Sequence, residues 1–169
     1  MFDLDGTLLD TLEDLADSMN AVLAKLNYPT HPTEKYKYFV GDGMKMLAYR
    51  VLPEKDKTQE NIEKCFQLAY EQYSRHWADK TKPYEGIDEM LNKLDELGII
   101  KTILSNKPHD MTLLTVEKLL LGHDFQVVKG HQPPIEKKPD PTSALDIADE
   151  IKVDPAQILY LGDTNTDMQ

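Results

Sequence analysis

The sequence predicts an α/β fold in which helices cover a parallel sheet and an all-helical segment interrupts the chain early. Strand-like apolar runs alternate with helical patterns from about residue 82 onward, which is typical of parallel sheets with crossover helices. Residues 11–81 show only helical periodicity. The apolar residues Met1 and Phe2, which precede this segment, predict the first strand of the sheet. We therefore predict an α/β core made of residues 1–10 and 82–169, with residues 11–81 inserted as a helical cap.

The inserted segment contains three predicted helices. Thr11 and Asp14 have the spacing of a capping box, which indicates that a helix begins there. Apolar residues then recur at helical spacing on three stretches, and the turn Gly41-Asp42-Gly43 precedes the second of them. The predicted helices cover residues 12–26, 44–52 and about 62–77.

The core segment alternates between the two kinds of pattern. Stretches with helical spacing are separated by short runs rich in Ile, Leu and Val, which predict buried strands. The predicted helices cover residues 87–97, 110–121 and 141–151, and the predicted strands cover the opening Met1-Phe2 and residues 99–104, 125–128 and 158–161.

Composition narrows the possible partners and the compartment. The 169 residues carry a formal net charge of −11, which argues against nucleic acid as a partner because phosphate backbones need clustered Lys and Arg. The absence of an apolar run of about 18 residues argues against a membrane partner. The single cysteine, Cys65, excludes a disulfide within the chain and favours a reducing, cytoplasmic location. The oligomeric state is not indicated.

Two neighbouring carboxylates are the strongest chemical signal. Asp3 and Asp5 follow the opening apolar residues and precede a Gly-Thr turn. Residues two apart in a strand point to the same side, so both carboxylates should leave the strand end together. Like charges this close need a cation between them, or one must stay protonated. The pair indicates a divalent cation, a division into acid and base, or both, and a plain surface turn is the alternative.

Polar side chains also follow the other three predicted strands. Ligands bind at the carboxyl ends of strands in open α/β sheets, so these groups should face one crevice. Each residue alone is also typical of a turn, a cap or a solvated surface. Their coincidence favours a site for Mg²⁺ and a phosphate group, since hard oxygens suit Mg²⁺ and lysine and hydroxyl groups suit phosphate. The residues are Ser105, Asn106 and Lys107, then Lys138, then Asp163 and Asp167.

On these segments the chain resembles the haloacid dehalogenase-like hydrolases, in the phosphatase branch with a helical cap after the first motif. Two further segments, Val40-Gly41-Asp42-Gly43 and Asn106-Lys107-Pro108, are similar to those of phosphoglycolate phosphatases. The resemblance covers essentially the whole chain and implies a Rossmann-like core. The four motifs are Phe2-Asp3-Leu4-Asp5-Gly6-Thr7-Leu8-Leu9-Asp10-Thr11, Ser105-Asn106-Lys107-Pro108, Lys138-Pro139-Asp140-Pro141 and Gly162-Asp163-Thr164-Asn165-Thr166-Asp167-Met168.

The resemblance also implies a function and a role for each site residue. It implies a Mg²⁺-dependent phosphatase acting on a small phosphorylated metabolite, with 2-phosphoglycolate as the first choice of substrate. Asp3 would be the nucleophile and Asp5 the general acid and base. The cap would close over the site and read the leaving group. The remaining implied roles are metal binding by Asp3, the Asp5 carbonyl and Asp163, phosphate binding by Ser105, Asn106, Lys138 and Gly43, and support by Asp167 and Thr7.

Three alternatives stay open within and beyond this family. A pyrophosphatase and a phosphosugar mutase share the scaffold, although mutases commonly have valine where Thr7 stands. A non-catalytic relative that binds a partner is disfavoured because Asp3, Asp5, Lys138 and Asp163 are all kept. Only Met1 and Phe2 precede Asp3, too few for a useful ladder at the centre of a sheet, and the sequence stops at Gln169 just after the fourth motif. We therefore expect a parent protein that is longer at both ends.

Overall fold

The computed structural model describes residues 1–168, which divide into two compact units. Met1–Asp10 and the residues from Lys82 onward form an α/β unit, and Thr11–Thr81 form a helical unit. The described residues contain four regular strands: β1 (Leu9–Asp10), β2 (Lys82–Pro83), β3 (Thr102–Pro108) and β4 (Val127–His131). They contain six α-helices: α1 (Leu12–Lys25), α2 (Met44–Val51), α3 (Gln59–His76), α4 (Ile87–Glu96), α5 (His109–Leu119) and α6 (Thr142–Ile151).

Each predicted helix is present, with ends that differ by up to three residues from the prediction. In the helical unit, α1 and α2 both pack against α3 around an apolar core. Cys65 is fully buried in this core, and its Sγ lies 3.7 Å from the sulfur of Met19. This burial agrees with the packing role that the apolar stripe of α3 predicts. The other fully buried core residues include Ala16, Leu23, Tyr36, Ala48 and Ala69.

The predicted capping box at the start of α1 is wrong. The Thr11 side chain makes no capping hydrogen bond. The buried Asp14 carboxylate instead accepts hydrogen bonds from the Lys80 and Thr81 backbone N–H groups and from the Thr81 hydroxyl, at 2.7–3.1 Å. Three donors from the end of the helical unit satisfy the carboxylate better than a single helical N–H. Asp14 therefore ties the last residues of this unit to its first helix.

The sheet of the α/β unit is parallel, and its regular part is formed by β3 and β4. Phe2 bridges to Ile103 on one side and to Leu161 on the other, both in parallel. Its N–H donates to the Thr102 carbonyl at 2.8 Å, and its own carbonyl accepts from Leu104 N–H at 2.9 Å. Phe2 therefore pairs on both sides, but only through isolated bridges and not within a regular ladder, which agrees with the expectation that two residues are too few to form one.

The strand positions differ from the prediction. The strand predicted over 99–104 begins at Thr102 and continues through the polar residues to Pro108. Ile99 and Ile100 are exposed, whereas residues 102–107 are buried. The strand therefore covers the buried residues, several of which are polar, and not the apolar residues before them. The strand predicted over 125–128 lies at Val127–His131, and that predicted over 158–161 is reduced to a single bridge at Leu161.

The α/β unit also contains a short antiparallel ribbon that the sequence-based prediction lacks. Its two strands, of two residues each, directly precede and directly follow the helical segment in the sequence. Leu9 and Asp10 of β1 pair in antiparallel fashion with Pro83 and Lys82 of β2. Among the described residues, the structure has no helix that is both long and apolar enough to cross a membrane.

Candidate active site

Asp3 lies at the end of the central bridge of the sheet, with its side chain almost fully buried. Its backbone N–H donates to the Leu161 carbonyl at 2.8 Å, which fixes it beside the segment that carries Asp163. Three residues further on, Gly6 has a φ of +89°. A Cβ at this position would lie within 2.8 Å of three Asp163 carboxylate atoms. Glycine is therefore required both by the backbone conformation and by the approach of Asp163.

Lys138 connects the first motif with the fourth. Its ammonium donates to Asp3 Oδ1 at 2.8 Å and to Asp167 Oδ1 at 2.7 Å. The Lys138 side chain is 8% exposed and that of Asp167 is fully buried, so water screens these ion pairs weakly. The structure thus brings together three predicted site residues that are separated by up to 164 positions in the sequence.

Burial and the neighbouring charges and hydrogen bonds act in opposite directions on the pKa values of Asp3, Asp167 and Lys138. At Asp3 burial dominates. It raises the pKa of Asp3 to about 7, against the opposing effect of the Lys138 charge. Burial also acts to raise the pKa of Asp167, but hydrogen bonds from Lys138 and Thr164 outweigh it and the net shift is downward. Burial acts to lower the pKa of Lys138, yet Asp3 and its other neighbours hold it above its ordinary value. The lysine is therefore a stable cation beside carboxylates of unequal acidity.

The fourth motif is held by its own hydrogen bonds. Asp167 Oδ2 accepts from the Thr164 N–H at 3.0 Å and from the Thr164 hydroxyl at 2.7 Å, which closes the turn directly after Asp163. Thr7 donates its hydroxyl to Asp163 Oδ1 at 3.1 Å. Asp167 thus contacts Lys138 and Thr7 contacts Asp163, and the supporting roles of both residues stay predictions.

Three carboxylates form a donor set suited to a hard divalent cation. Asp3, Asp163 and Asp167 each offer an oxygen, and these atoms lie within 4.8 Å of one another. Carboxylate oxygens are the ligands that Mg²⁺ prefers in proteins, so the residues present fit this ion. Two of these side chains, Asp3 and Asp163, are predicted ligands, and Asp167 is a third carboxylate beside them. The other predicted ligand, the Asp5 carbonyl, is a backbone group and stays a prediction.

The Asp5 side chain has a separate partner. Both of its oxygens accept from the Lys107 ammonium, at 3.1 and 3.3 Å. The Lys107 side chain is 6% exposed and that of Asp5 is 27% exposed, so the carboxylate is the more accessible of the pair. In the sequence-based prediction, Lys107 lies just behind the second of the four strands and has no role of its own. The sequence feature that could have indicated a role for Lys107 is its place directly after the polar residues Ser105 and Asn106 at a strand end.

Ser105 and Asn106 are both buried at this end of β3. The Ser105 hydroxyl accepts from the Lys107 N–H at 3.2 Å. Asn106 bonds twice to the backbone of Lys138: its Oδ1 accepts from the N–H at 2.8 Å, and its Nδ2 donates to the carbonyl at 3.2 Å. Asn106 therefore positions the loop that carries Lys138, through a contact that the sequence-based prediction does not include.

Gly43 belongs to the helical unit, where it precedes α2. The turn before it is held by Arg50, whose guanidinium donates to the Phe39 carbonyl at 2.9 Å and pairs with the Asp42 carboxylate. The role of Gly43 in substrate binding stays a prediction.

Comparison with known proteins identifies the family. The haloacid dehalogenase-like hydrolases match this chain over residues 1–169. A phosphoglycolate phosphatase of Psychrobacter arcticus is 34% identical over 178 aligned residues, which cover 99% of this chain and 76% of that protein. One from Pseudomonas syringae pv. tomato is 31% identical, and the match covers all of this chain and 63% of that protein.

A solved structure shows the same fold. A candidate phosphoglycolate phosphatase of Lactobacillus delbrueckii subsp. bulgaricus superposes with a TM-score of 0.93 at 26% identity, covering 99% of this chain and 78% of that one. The predicted α/β fold with a helical insertion and the predicted hydrolase class are thereby confirmed. The chain belongs to the haloacid dehalogenase-like hydrolases, in their phosphoglycolate phosphatase-like branch.

Proposed function

We propose that this chain carries the catalytic centre of a Mg²⁺-dependent phosphatase for small phosphomonoesters. One observation carries the proposal: the buried Asp3 carboxylate contacts the Lys138 ammonium at 2.8 Å and lies within a group of three carboxylates that suits a divalent cation. A nucleophile, a fixed cation and a metal-binding set at one point are the groups that phosphoryl transfer requires.

In the proposed reaction, Asp3 forms the bond to phosphorus. One of its carboxylate oxygens attacks, the ester P–O bond breaks, and the departing alkoxide takes a proton from Asp5. Asp5 enters this first step in its protonated form and leaves it as the carboxylate that pairs with Lys107. Water then attacks the aspartyl-phosphate and gives a proton to this carboxylate, which restores the protonated Asp5, while the bond between Asp3 and phosphorus breaks and phosphate is released. The Asp5 carboxylate suits this role because it is the accessible member of its ion pair with Lys107.

The remaining residues bind and orient. Lys138 and the Ser105 hydroxyl would hold the oxygens of the transferring group, and Asn106 supports this by its two bonds to the Lys138 backbone. Asp3, Asp163 and the Asp5 carbonyl, with Asp167 as a further candidate, would hold Mg²⁺. When bound, this ion supplies positive charge that offsets the charge developing on the phosphoryl oxygens.

The proposed substrate is 2-phosphoglycolate, which rests on the names of the relatives. Residues 11–81 are proposed as the cap, with the Gly43 turn reading the leaving group, and the cytoplasm is the proposed compartment. The alternative activities are those of a pyrophosphatase and of a phosphosugar mutase, so pyrophosphate and sugar phosphates are included in the substrate panel.

The test is a phosphate-release assay on a panel of 2-phosphoglycolate, sugar phosphates, nucleotides and pyrophosphate, with Mg²⁺ or with chelator. We expect turnover only with Mg²⁺ and fastest on 2-phosphoglycolate. Asp3→Asn should lower the turnover at least about a thousandfold. Asp149→Asn, at an exposed helical position, serves as the matched control and should keep full activity. Full turnover in chelator, or substantial turnover by pure Asp3→Asn protein, would contradict the proposal.

A further inference from the structure

Tyr160 contacts the centre of the site but has no role in the proposed reaction. Its ring packs against an apolar cluster of the α/β unit made of Met1, Leu104, Val127 and Ile147. This packing directs the hydroxyl toward Lys138, where the oxygen lies 2.9 Å from the ammonium nitrogen. The same oxygen is 3.1 Å from Asp167 Oδ1 and 3.3 Å from the Leu104 carbonyl.

The donors and acceptors around Lys138 define what the hydroxyl does. An ammonium has three N–H donors and no acceptor. Four acceptors surround this one: Asp167 at 2.7 Å, Asp3 at 2.8 Å, Tyr160 at 2.9 Å and the Leu104 carbonyl at 3.2 Å. Because the lysine can only donate, the tyrosine oxygen accepts from it. The tyrosine proton is then free to bond Asp167 or the Leu104 carbonyl.

This arrangement fixes the direction of the remaining donor. Asp167 and Tyr160 accept two of the three N–H bonds, and the third goes to the Asp3 carboxylate, which at 2.8 Å is nearer than the Leu104 carbonyl at 3.2 Å. Without the hydroxyl, the nearest replacement is the more distant Leu104 carbonyl, and the ammonium can turn away from Asp3. Since the side chain of Lys138 is buried, solvent supplies little compensation for the lost bond.

We propose that the Tyr160 hydroxyl is a positioning group that aims the Lys138 ammonium at the phosphoryl group bound beside Asp3. The inference deepens the proposed function and rests on it for the identity of that group. Tyr160 acts through Lys138 and does not itself touch the reacting atoms.

The test compares Tyr160→Phe, which keeps the packed ring, with Tyr36→Phe. Tyr36 is a matched control because it is buried in the other unit and its hydroxyl also donates to a side-chain oxygen, Asn20 Oδ1 at 2.7 Å. Inorganic phosphate is the probe, titrated with Mg²⁺ present and followed by ³¹P NMR. We expect Tyr160→Phe to weaken phosphate binding about five- to tenfold, as expected for the loss of one charge-assisted hydrogen bond, and to lower kcat by more than it raises KM. Tyr36→Phe should change both by less than twofold.

Repeating both variants on Lys138→Met separates positioning from a structural role. If the hydroxyl acts through the lysine, Tyr160→Phe should add nothing once the lysine is gone. Equal losses in both backgrounds, or wild-type binding by Tyr160→Phe, would overturn the assignment. If turnover is absent but phosphate binding follows the expected pattern, the proposed function fails and the role of Tyr160 stands. If wild-type protein neither binds phosphate nor turns over substrate, both fail.

Discussion

At the scale of single residues, the site gives each of two neighbouring carboxylates its own ammonium. Asp3 contacts Lys138, and Asp5 contacts Lys107. The two ion pairs differ in accessibility, since the side chain of Asp3 is 10% exposed and that of Asp5 is 27% exposed. The buried carboxylate suits a nucleophile held against a cation, and the accessible one suits exchange of protons with an alcohol or water.

This division predicts different responses to the two asparagine substitutions. Asp3→Asn should stop turnover of every phosphate ester, because it removes the attacking oxygen. Asp5→Asn should slow an alkyl phosphate at least about a hundredfold but an activated aryl phosphate much less, because a good leaving group needs no proton. Steady-state kinetics on both ester types measure this. If Asp5→Asn slowed the two types equally, Asp5 would not be the general acid.

Gly6 gives a second prediction at this scale. Gly6→Ala should displace the Asp163 carboxylate, because the added Cβ would meet three of its atoms, and Mg²⁺ affinity should fall at least about tenfold. Gly122→Ala is a matched control, since Gly122 also has a positive φ of +97° but open space around it. The control should cost about 1 kcal/mol of stability and leave Mg²⁺ affinity unchanged. Calorimetric titration with Mg²⁺ compares the two, and equal affinities would argue against the role of Gly6.

At the scale of elements, α1 carries the contact that closes the helical unit. Asp14 is buried and accepts from three donors of Lys80 and Thr81, whereas Asp17, one turn later, binds the Lys80 ammonium on the surface. Buried hydrogen bonds to a carboxylate stabilise a fold much more than exposed ion pairs do.

Asp14→Ala should therefore lower the free energy of unfolding by about 2–4 kcal/mol, because it leaves buried donors unpaired. Asp17→Ala, on the same helix, should change it by less than about 0.5 kcal/mol. Urea unfolding followed by circular dichroism at 222 nm measures both. Similar values for the two variants would show that the Asp14 contacts do not hold the unit together.

At the scale of the whole molecule, the buried Asp3 links stability to pH and to metal. Its pKa is raised to about 7, so the folded state holds a proton that the unfolded state loses near its ordinary value of 3.8. Stability without metal should therefore fall as the pH rises from about 4 to about 7, and then stay level. The shift corresponds to a loss on the order of 4 kcal/mol.

Asp3→Asn removes this dependence. In chelator, the stability of the variant relative to the wild type should rise between pH 4 and pH 7, as measured by urea unfolding at a series of pH values. Mg²⁺ should reverse the difference at pH 7.5 by stabilising only the wild type, because the ion binds the ionised carboxylate of the folded state. A difference between the two proteins that does not change with pH would contradict the raised pKa of Asp3.

The sequence by itself determined the fold class, the six helices and the membership of the four motifs in one site. These features depend on local signals, namely apolar periodicity and polar residues at strand ends. Each such signal involves only residues that are close together in the sequence. For that reason Asp3, Ser105, Lys138 and Asp163 could be named before the structure was known. The strand bounds could not, since the exposed Ile99 and Ile100 read as a strand while the buried Ser105 and Asn106 read as a loop.

Only the tertiary structure decided which partner each of these residues takes. Asp14 looked like a capping residue and instead binds the chain 66 and 67 positions away. Tyr160 looked like one more apolar strand residue, yet its hydroxyl lies 2.9 Å from Lys138. Both contacts join groups that are far apart in the chain, and a buried polar group takes whichever donors and acceptors the packed fold places beside it. The local sequence states what a side chain can bind, and the packing of distant segments decides what it does bind.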